Sequence, residues 1–479
     1  MEHEDILKLN TELQQLITTD QAWQYSIIPK SYDNEKYVFY IDEDKISLDL
    51  INELELLFGK KVELLKTSSH IINVTLGKHY RKGNKKESRK TWINYNSNSD
   101  DFLNNLIGEA NAIGSSDIHI EAYENSCRVR MRIDGKLVER YILNPSDYPA
   151  LINKIKIKSN LDIAEKRLPQ DGRINFISGT SRFDIRVSIL PALYGEKAVL
   201  RLLSKDSTNI DIEALGFNQL QLDQYLQAIR KPHGIILISG PTGSGKTTTL
   251  YATLKILNSE AANILTIEDP VEYTLDGINQ VQLKESIGLT FASALRTFLR
   301  QDPDIIMLGE IRDGETAHMA IRAALTGHLV LSTIHTNSAW GTINRLIDMG
   351  IPSFLIANTI NLTAAQRLVR ILCPDCKKLE SFSKSLYPSS YSQPRQISKH
   401  YVAKGCDKCY YTGYKGRKAL YEVIPIDYEL SEIIRQGKNS AEDVFSRYKI
   451  TSLSDSAFKL FENGDTSIEE VYSLLMNNI

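Results

Sequence analysis

The stretch Gly234-Ile235-Ile236-Leu237-Ile238-Ser239-Gly240-Pro241-Thr242-Gly243-Ser244-Gly245-Lys246-Thr247-Thr248 joins a short apolar run to a glycine-rich turn and then to a helical pattern reaching Leu257. Gly240 to Thr247 fits G-x-x-x-x-G-K-[ST] at every fixed position, between a strand and a helix as that motif requires. Glycines let the backbone curl so that successive N–H groups face phosphate oxygens, and the N-terminus of the following helix adds partial positive charge. Lys246 then supplies a mobile charge to terminal phosphates, and the Thr247 hydroxyl is placed to ligate Mg²⁺. The pattern predicts nucleotide binding, with Gly240, Pro241, Thr242, Gly243, Ser244, Gly245, Lys246, Thr247 and Thr248 lining the phosphates, but alone it does not distinguish a kinase, a GTPase and a motor.

Working outward, apolar runs at Ile264–Ile267, Ile305–Leu308 and Leu329–Thr333 alternate with helical patterns. That alternation predicts an α/β core with a parallel sheet covered by helices. Two of the runs end in carboxylates, Glu268-Asp269-Pro270 and Gly309-Glu310, at the sheet edge where such folds bind ligands. Glu310 stands where a carboxylate next to Mg²⁺ or the attacking water belongs, and Glu268 and Glu310 are both candidates for the base or positioner of that water. A solvated loop charge is the plainer alternative for each. His328 and His335 flank the next strand and would stand near its opposite ends, which suits separate roles in sensing nucleotide state better than one metal site.

A chain of 479 residues exceeds one hydrophobic core. With 57 basic and 59 acidic side chains the formal charge is -2, and no basic, aromatic-studded module argues for specific nucleic-acid binding. The N-terminus is acidic and no apolar stretch approaches the ~20 residues of a membrane span, so a cytoplasmic location is expected. Residues 1–77 mix a strand pattern at Tyr37–Ile41 with a helical one at Ile46–Phe58 and suggest a small α/β domain. Lys78 to Lys90 holds seven Lys or Arg and one Glu, and with the polar run to Asp101 it marks a linker over 78–100. Alternation in Arg128–Ile133, ending at Asp134-Gly135, places a strand-rich domain over 101–208. A nucleotide-binding domain follows over 209–365, a cysteine-bearing subdomain over 366–424 and a helical segment over 425–479.

Four of the five cysteines form two C-x-x-C hooks, Cys373/Cys376 and Cys406/Cys409, separated by the 29 residues Lys377 to Gly405. Each hook can place two thiolates on one ion, and four thiolates complete the closed tetrahedron of structural Zn²⁺. Glu380 to Ser398, rich in Ser, Pro and Tyr, suggests a loop between the hooks. Cys127 is expected to be a small buried hydrophobe.

Together these residues resemble the type II secretion and type IV pilus assembly ATPase family over roughly Asp101 to Ile479. The resemblance rests on Ser115–Glu121, Arg130–Gly135, Gln170–Arg173 and Arg186–Ser188, then on Glu268–Tyr273, Gln301–Asp313, Thr326–Asn337 and Ala365–Arg370 running into Cys373. Tyr411–Arg417 and Tyr421-Glu422-Val423 extend it. It implies a RecA-like P-loop core preceded by a PAS-like α+β domain and a small docking domain, and followed by a zinc subdomain with helices. It also implies a homo-hexamer that hydrolyses ATP and works on the cytoplasmic face of an inner membrane, with a platform protein and an adaptor as partners. Arg173, Arg186 and Arg201 would reach the γ-phosphate. Pseudopilus assembly in type II secretion is the expected output, with pilus extension as the alternative. A DNA-transport or nucleic-acid-binding P-loop protein, or a regulatory nucleotide binder, are the readings from other classes.

Overall fold

The computed structural model describes residues 7–80, 100–178, 181–203, 211–383, 386–387, 397–409, 412–437 and 441–476, apart from 8, 15, 34 and 47. Most of the expected linker, residues 81–99, and Tyr411 lie outside the described residues. The chain forms two compact units, one of residues 1–205, 372–378 and 402–416, the other of 206–371, 379–401 and 417–479.

The first unit begins with helices α1 (Thr11–Gln14) and α2 (Thr19–Tyr25), the latter opened by a capping box between Thr18 and Gln21. Strands β1 (Ile27–Tyr32) and β2 (Lys36–Asp42) pair antiparallel. Helix α3 (Leu48–Phe58) then carries the chain across to β3 (Lys61–Thr67), parallel to β2, and α4 (Ser69–His79) follows. A parallel neighbour needs such a crossover. Ile27, Phe39, Ile41, Leu54 and Ile72 fill the core between this sheet and its helices.

Helix α5 (Asp100–Ala112) leads into a second, six-stranded sheet. Its strands are β4 (Ser115–Ala122), β5 (Cys127–Ile133), β6 (Lys136–Leu143), β7 (Gln170–Ser178), β8 (Ser181–Ala192) and β9 (Gly195–Leu203), with α6 (Tyr148–Lys158) between β6 and β7. The order is β6-β5-β4-β9-β8-β7. Alternation in β5 sends Cys127, Val129, Met131 and Ile133 to a buried face, which packs on Leu103, Leu106 and Ile107 of α5 and on Leu151 and Ile155 of α6. Arg128, Arg130 and Arg132 take the other face, as the period of two demands. Asp134 and Gly135 close the β5–β6 hairpin at φ of 46° and 86°, conformations that suit this residue pair.

The second unit is built on a seven-stranded sheet of order β12-β11-β13-β14-β10-β15-β18. Helix α7 (Gln219–Ile229) precedes β10 (Gly234–Ser239), and α8 (Lys246–Leu257) follows it. Then come β11 (Ile264–Glu268), β12 (Asn279–Gln282), α9 (Phe291–Phe298), β13 (Ile305–Leu308), α10 (Gly314–Leu325), β14 (Leu329–Ile334), α11 (Ala339–Asp348), α12 (Ser353–Thr359) and β15 (Ile360–Leu372). Strands β10 to β15 pair parallel throughout, and every residue of β10, β11, β13 and β14 is buried. Continuous apolar sequence is the signature of a sheet covered on both faces. Ile236 and Ile238 pack towards Leu250, Tyr251 and Leu254 of α8, whereas Ile235 and Leu237 face a cluster containing Leu295, Ala320 and Ile343 of α9, α10 and α11.

After β15 the chain passes through the first cysteine hook and a two-stranded sheet of β16 (Lys378–Ser381) and β17 (Lys399–Val402), so strand structure reaches Ser381 inside the expected loop. It then passes the second hook and returns to the main sheet as β18 (Tyr414–Pro425), hydrogen-bonded beside β15. The cysteine segment is therefore an excursion between two adjacent strands. Helices α13 (Tyr428–Gln436), α14 (Ala441–Tyr448), α15 (Leu453–Glu462) and α16 (Ile468–Met476) complete the chain.

Candidate functional site

The C-terminal ends of the parallel strands gather the residues that motif reading singled out. Gly240 to Gly245 leaves the end of β10 and opens α8, whose N-terminus carries no side-chain cap. Gly240 (φ 149°) lies so close to β15 that a Cβ would stand 2.5 Å from the Gln366 carbonyl oxygen, and at Gly245 (φ 87°) it would meet the Gln366 amide at 2.9 Å. Only glycine permits that approach. Ser244 Oγ is buried with no hydrogen-bond partner among the described residues, and the uncapped helix start adds further unclaimed N–H donors. Such a cradle of donors suits phosphate oxygens.

Lys246 Nζ donates to the carbonyls of Gly240 (2.8 Å) and Pro241 (3.1 Å), curling across the loop. Burial pulls its pKa below the ordinary lysine value, and Arg367 pulls the same way against the opposing charge of Glu310. Thr247 stands exposed in the first turn of α8, and Thr248 follows it.

Glu310 lies just beyond β13 on a turn fixed by three hydrogen bonds: Gly309 N–H to Ile267 O (2.8 Å), Ile311 N–H to Thr333 O (2.9 Å) and Thr333 Oγ1 to Gly309 O (2.7 Å). Its carboxylate accepts from Arg312, and its Oε2 lies 3.1 Å from His335 Nε2. Burial pushes the Glu310 carboxyl up, yet the hydrogen bond and charge of Arg312, joined by His335, outweigh this and hold it below the usual carboxylate range. Arg312 also reaches Asp269 Oδ2 at 3.4 Å, tying the two acidic strand ends together.

Glu268 has a different environment. It is 2% exposed and accepts from Tyr251 of α8, from Thr266 Oγ1 (2.7 Å) and from Gln280 Nε2 (3.1 Å). Both oxygens are thus engaged, and Tyr251 also receives the Glu272 N–H at 3.3 Å and an edge contact from Tyr273 at 4.6 Å. The arrangement ties the 268–273 segment to the helix that carries Lys246.

The two histidines part company. His335 follows β14 at the edge that holds Glu310, whereas His328 precedes the same strand, about 20 Å away at ~3.3 Å per residue. There its Nδ1 lies 2.8 Å from Ala323 O and 3.1 Å from Thr326 Oγ1, at the C-terminus of α10. The structure does not bring His328 to the phosphate loop.

Motif reading missed the wall contributed by β15. Arg367 donates to Gln366 O (3.0 Å) and to Asn337 O (3.0 Å), and Gln366 Oε1 accepts from Thr249 of α8 at 2.9 Å. Ala365–Arg370 had signalled family resemblance alone, because nothing local in those residues says which strand they pair with.

In the first unit, Arg173, Arg186 and Arg201 are direct cross-strand neighbours on β7, β8 and β9, and the row continues through Asp117 to Arg132. Asp117 Oδ1 accepts from Arg201 Nε at 2.9 Å. Burial pushes that carboxyl up, but hydrogen bonds from Arg201 and Ser116 and the charges of Arg201 and Arg132 hold it low. The neighbouring Glu121, engaged by Arg130, Arg128 and Lys197, is held at about 2 against its own burial.

The four hook cysteines converge. Their sulfurs all lie within 4.8 Å of one another, with Cys373–Cys406 at 3.8 Å, Cys376–Cys409 at 3.7 Å and Cys406–Cys409 at 3.8 Å. A tetrahedron of thiolates at the usual Zn–S length of ~2.3 Å has edges of about 3.8 Å. The donor set therefore fits a structural metal, which would cross-link the two hooks. Cys127 is buried on β5, apart from this group.

A parallel sheet with buried central strands, a phosphate loop after β10 and carboxylates at the ends of β11 and β13 defines a RecA-like P-loop ATPase. The chain belongs to the Type II/IV secretion system protein family, whose model matches residues 96–473. Over 376 residues it is 46% identical to Type II secretion system ATPase E of Vibrio cholerae, covering 77% of this chain and 74% of that one. Over 378 residues it is 48% identical to Type IV pilus assembly ATPase PilB of Myxococcus xanthus, covering 77% and 66%. Among solved structures, the pilus retraction motor PilT with bound ADP matches at 26% identity and a TM-score of 0.53, over 78% of this chain and 96% of that one. The Legionella pneumophila ATPase DotB shares the fold at 24% identity and a TM-score of 0.60, over 82% and 98%.

Proposed function

We propose that this chain is a ring-forming ATPase that drives pseudopilus assembly in type II protein secretion. The observation that carries the catalytic part is the meeting of Glu310, Arg312 and His335 at the strand edge that also bears Gly240–Lys246. In this scheme the loop N–H groups and Lys246 bind and orient the phosphates, and Thr247 and Glu310 would hold Mg²⁺, which neutralises phosphate charge. Glu310, kept ionised, orients the attacking water, while Glu268 either receives its proton or anchors the segment through Tyr251. Arg173, Arg186 and Arg201 are proposed as the cations that meet charge developing on the transferred phosphoryl. His335 is proposed to sense nucleotide state through Glu310; His328 lacks that contact and supports α10 instead.

Assembly is favoured because four cysteines with the geometry of a closed metal site lie in the excursion between β15 and β18. Pilus extension is the second reading, favoured by the PilB relative, which is as similar as the secretion relative. The proposed partners are further copies of this chain, an inner-membrane platform protein and its adaptor. No helix among the described residues is long and apolar enough to cross a membrane, so location at the cytoplasmic membrane face would depend on those partners.

Steady-state phosphate release provides the test. Lys246→Ala and Glu310→Gln are each expected to abolish it, and an unchanged rate in both would sink the mechanism. Capture of the platform and its neighbouring pilins from solubilised membranes separates secretion from pilus extension.

A further inference from the structure

Glu422 lies on β18, 3% exposed. Its Oε1 accepts the N–H of Ala339, the first residue of α11, at 2.7 Å. Its Oε2 accepts the N–H of Leu453, the first residue of α15, at 3.2 Å. Both helices already have their own caps, since Ser338 Oγ accepts from Gly341 N–H (3.1 Å) and Ser452 Oγ from Asp455 N–H (3.0 Å). One buried carboxylate thus serves as a second, shared acceptor at two helix N-termini, where negative charge is favourable. Its burial is costly nonetheless, and pushes the carboxyl up to about 7 despite those two N–H donors and the nearby Arg367 charge; Asp455 adds to the rise.

The start of α11 is tied to the nucleotide site by the short segment 335–338. His335 meets Glu310 at 3.1 Å. Asn337 O accepts from Arg367 (3.0 Å), whose other donor holds the Gln366 carbonyl against which Gly240 is pressed. Ser338 O accepts from Ser239 Oγ (3.3 Å), the residue immediately before Gly240. Every one of these contacts runs through the residues that Ala339 N–H terminates.

We propose that Glu422 is a positioning residue for ATP hydrolysis: by clamping the first turn of α11 to that of α15 it sets segment 335–338, and so holds His335 on Glu310 and Arg367 beside the phosphate loop. The inference rests on the ATPase reading above. Glu422 touches no substrate in this scheme and acts through the geometry of Glu310. It also makes the C-terminal helices part of the active-site frame, because α15 and α11 share one acceptor.

Two variants of the full chain test this. Glu422→Gln keeps the shape but turns one acceptor into an NH₂ that faces an N–H donor. Glu422→Asp keeps the charge but is one methylene too short to reach both helices, and as the smaller change it carries the test should Glu422→Gln fail to fold. In each, kcat is expected to fall by about tenfold or more, as for displaced catalytic groups, while KM for ATP and the Kd of a fluorescent ADP analogue stay within about twofold. A folded variant with wild-type kcat overturns the proposal. So does a loss of ADP affinity in step with kcat, which would make Glu422 a general prop of the fold. A wild-type chain that hydrolyses no ATP sinks the ATPase reading and this one with it; an active wild type beside an unaffected Glu422→Gln sinks this one alone.

Discussion

At the scale of single residues, identical side-chain types behave differently because their surroundings do. Glu310 and Glu268 both end strands of one sheet, yet Glu310 is held by Arg312 and His335 while Glu268 is sealed among Tyr251, Thr266 and Gln280. Removing Arg312 takes away the largest influence that lowers Glu310, so Arg312→Ala should move the acid limb of the pH–rate profile to higher pH; a limb that stays put refutes the assignment. Glu121 supplies a stability counterpart. Its carboxyl sits at about 2, below the ordinary value of 4.5, so its contribution is present above the ordinary value and lost as pH falls through the lower one. Glu121→Gln should flatten the unfolding free energy over that window and remove the carboxylate that engages Arg130 at neutral pH, while Arg128 keeps Glu139. Chemical denaturation as a function of pH reads this directly.

At the scale of elements, the core strands and the cysteine excursion depend on different forces. Leu237 at the centre of β10 is fully buried with neighbours on both sides, and Leu237→Ala should cost ~2–5 kcal/mol in a denaturant titration. If a metal joins the two hooks, that segment should instead respond to its removal. One equivalent of zinc per chain is expected by elemental analysis, and Cys406→Ser or a strong chelator should lower the melting temperature while a mutant of Cys127, apart from the cluster, retains the metal. A metal-free chain with unaltered melting on chelation would remove the structural role. The excursion's position between β15 and β18 gives this result a functional reach, since those strands also carry Gln366, Arg367 and Glu422.

At the scale of the whole molecule, the proposed activity demands assembly. Six chains of 54.2 kDa make a particle of about 325 kDa, and light scattering with Mg²⁺ and ATP should find it if the ring forms. The row of Arg173, Arg186 and Arg201 across three strands concentrates positive charge on one sheet face. Arg186→Ala should lower kcat by roughly 10³-fold, the scale of a lost cationic finger, and an unchanged kcat would exclude it from the reaction.

Much of this was legible in the order of residues. Gly240–Thr247, the buried strand patterns, the carboxylates after β11 and β13 and the paired hooks are all local, and local sequence suffices because each is a backbone turn, a period or a spacing within one element. Only the tertiary structure decided which strand lies beside β10, and therefore that Gln366 and Arg367 form a wall of the phosphate loop. It also decided that His328 and His335 face opposite edges of the sheet in their contacts, that Glu268 is enclosed by Tyr251, and that Glu422 joins α11 to α15. Those facts depend on strand order and on contacts between residues up to a hundred or more positions apart, and no local spacing records which distant partner a side chain will meet.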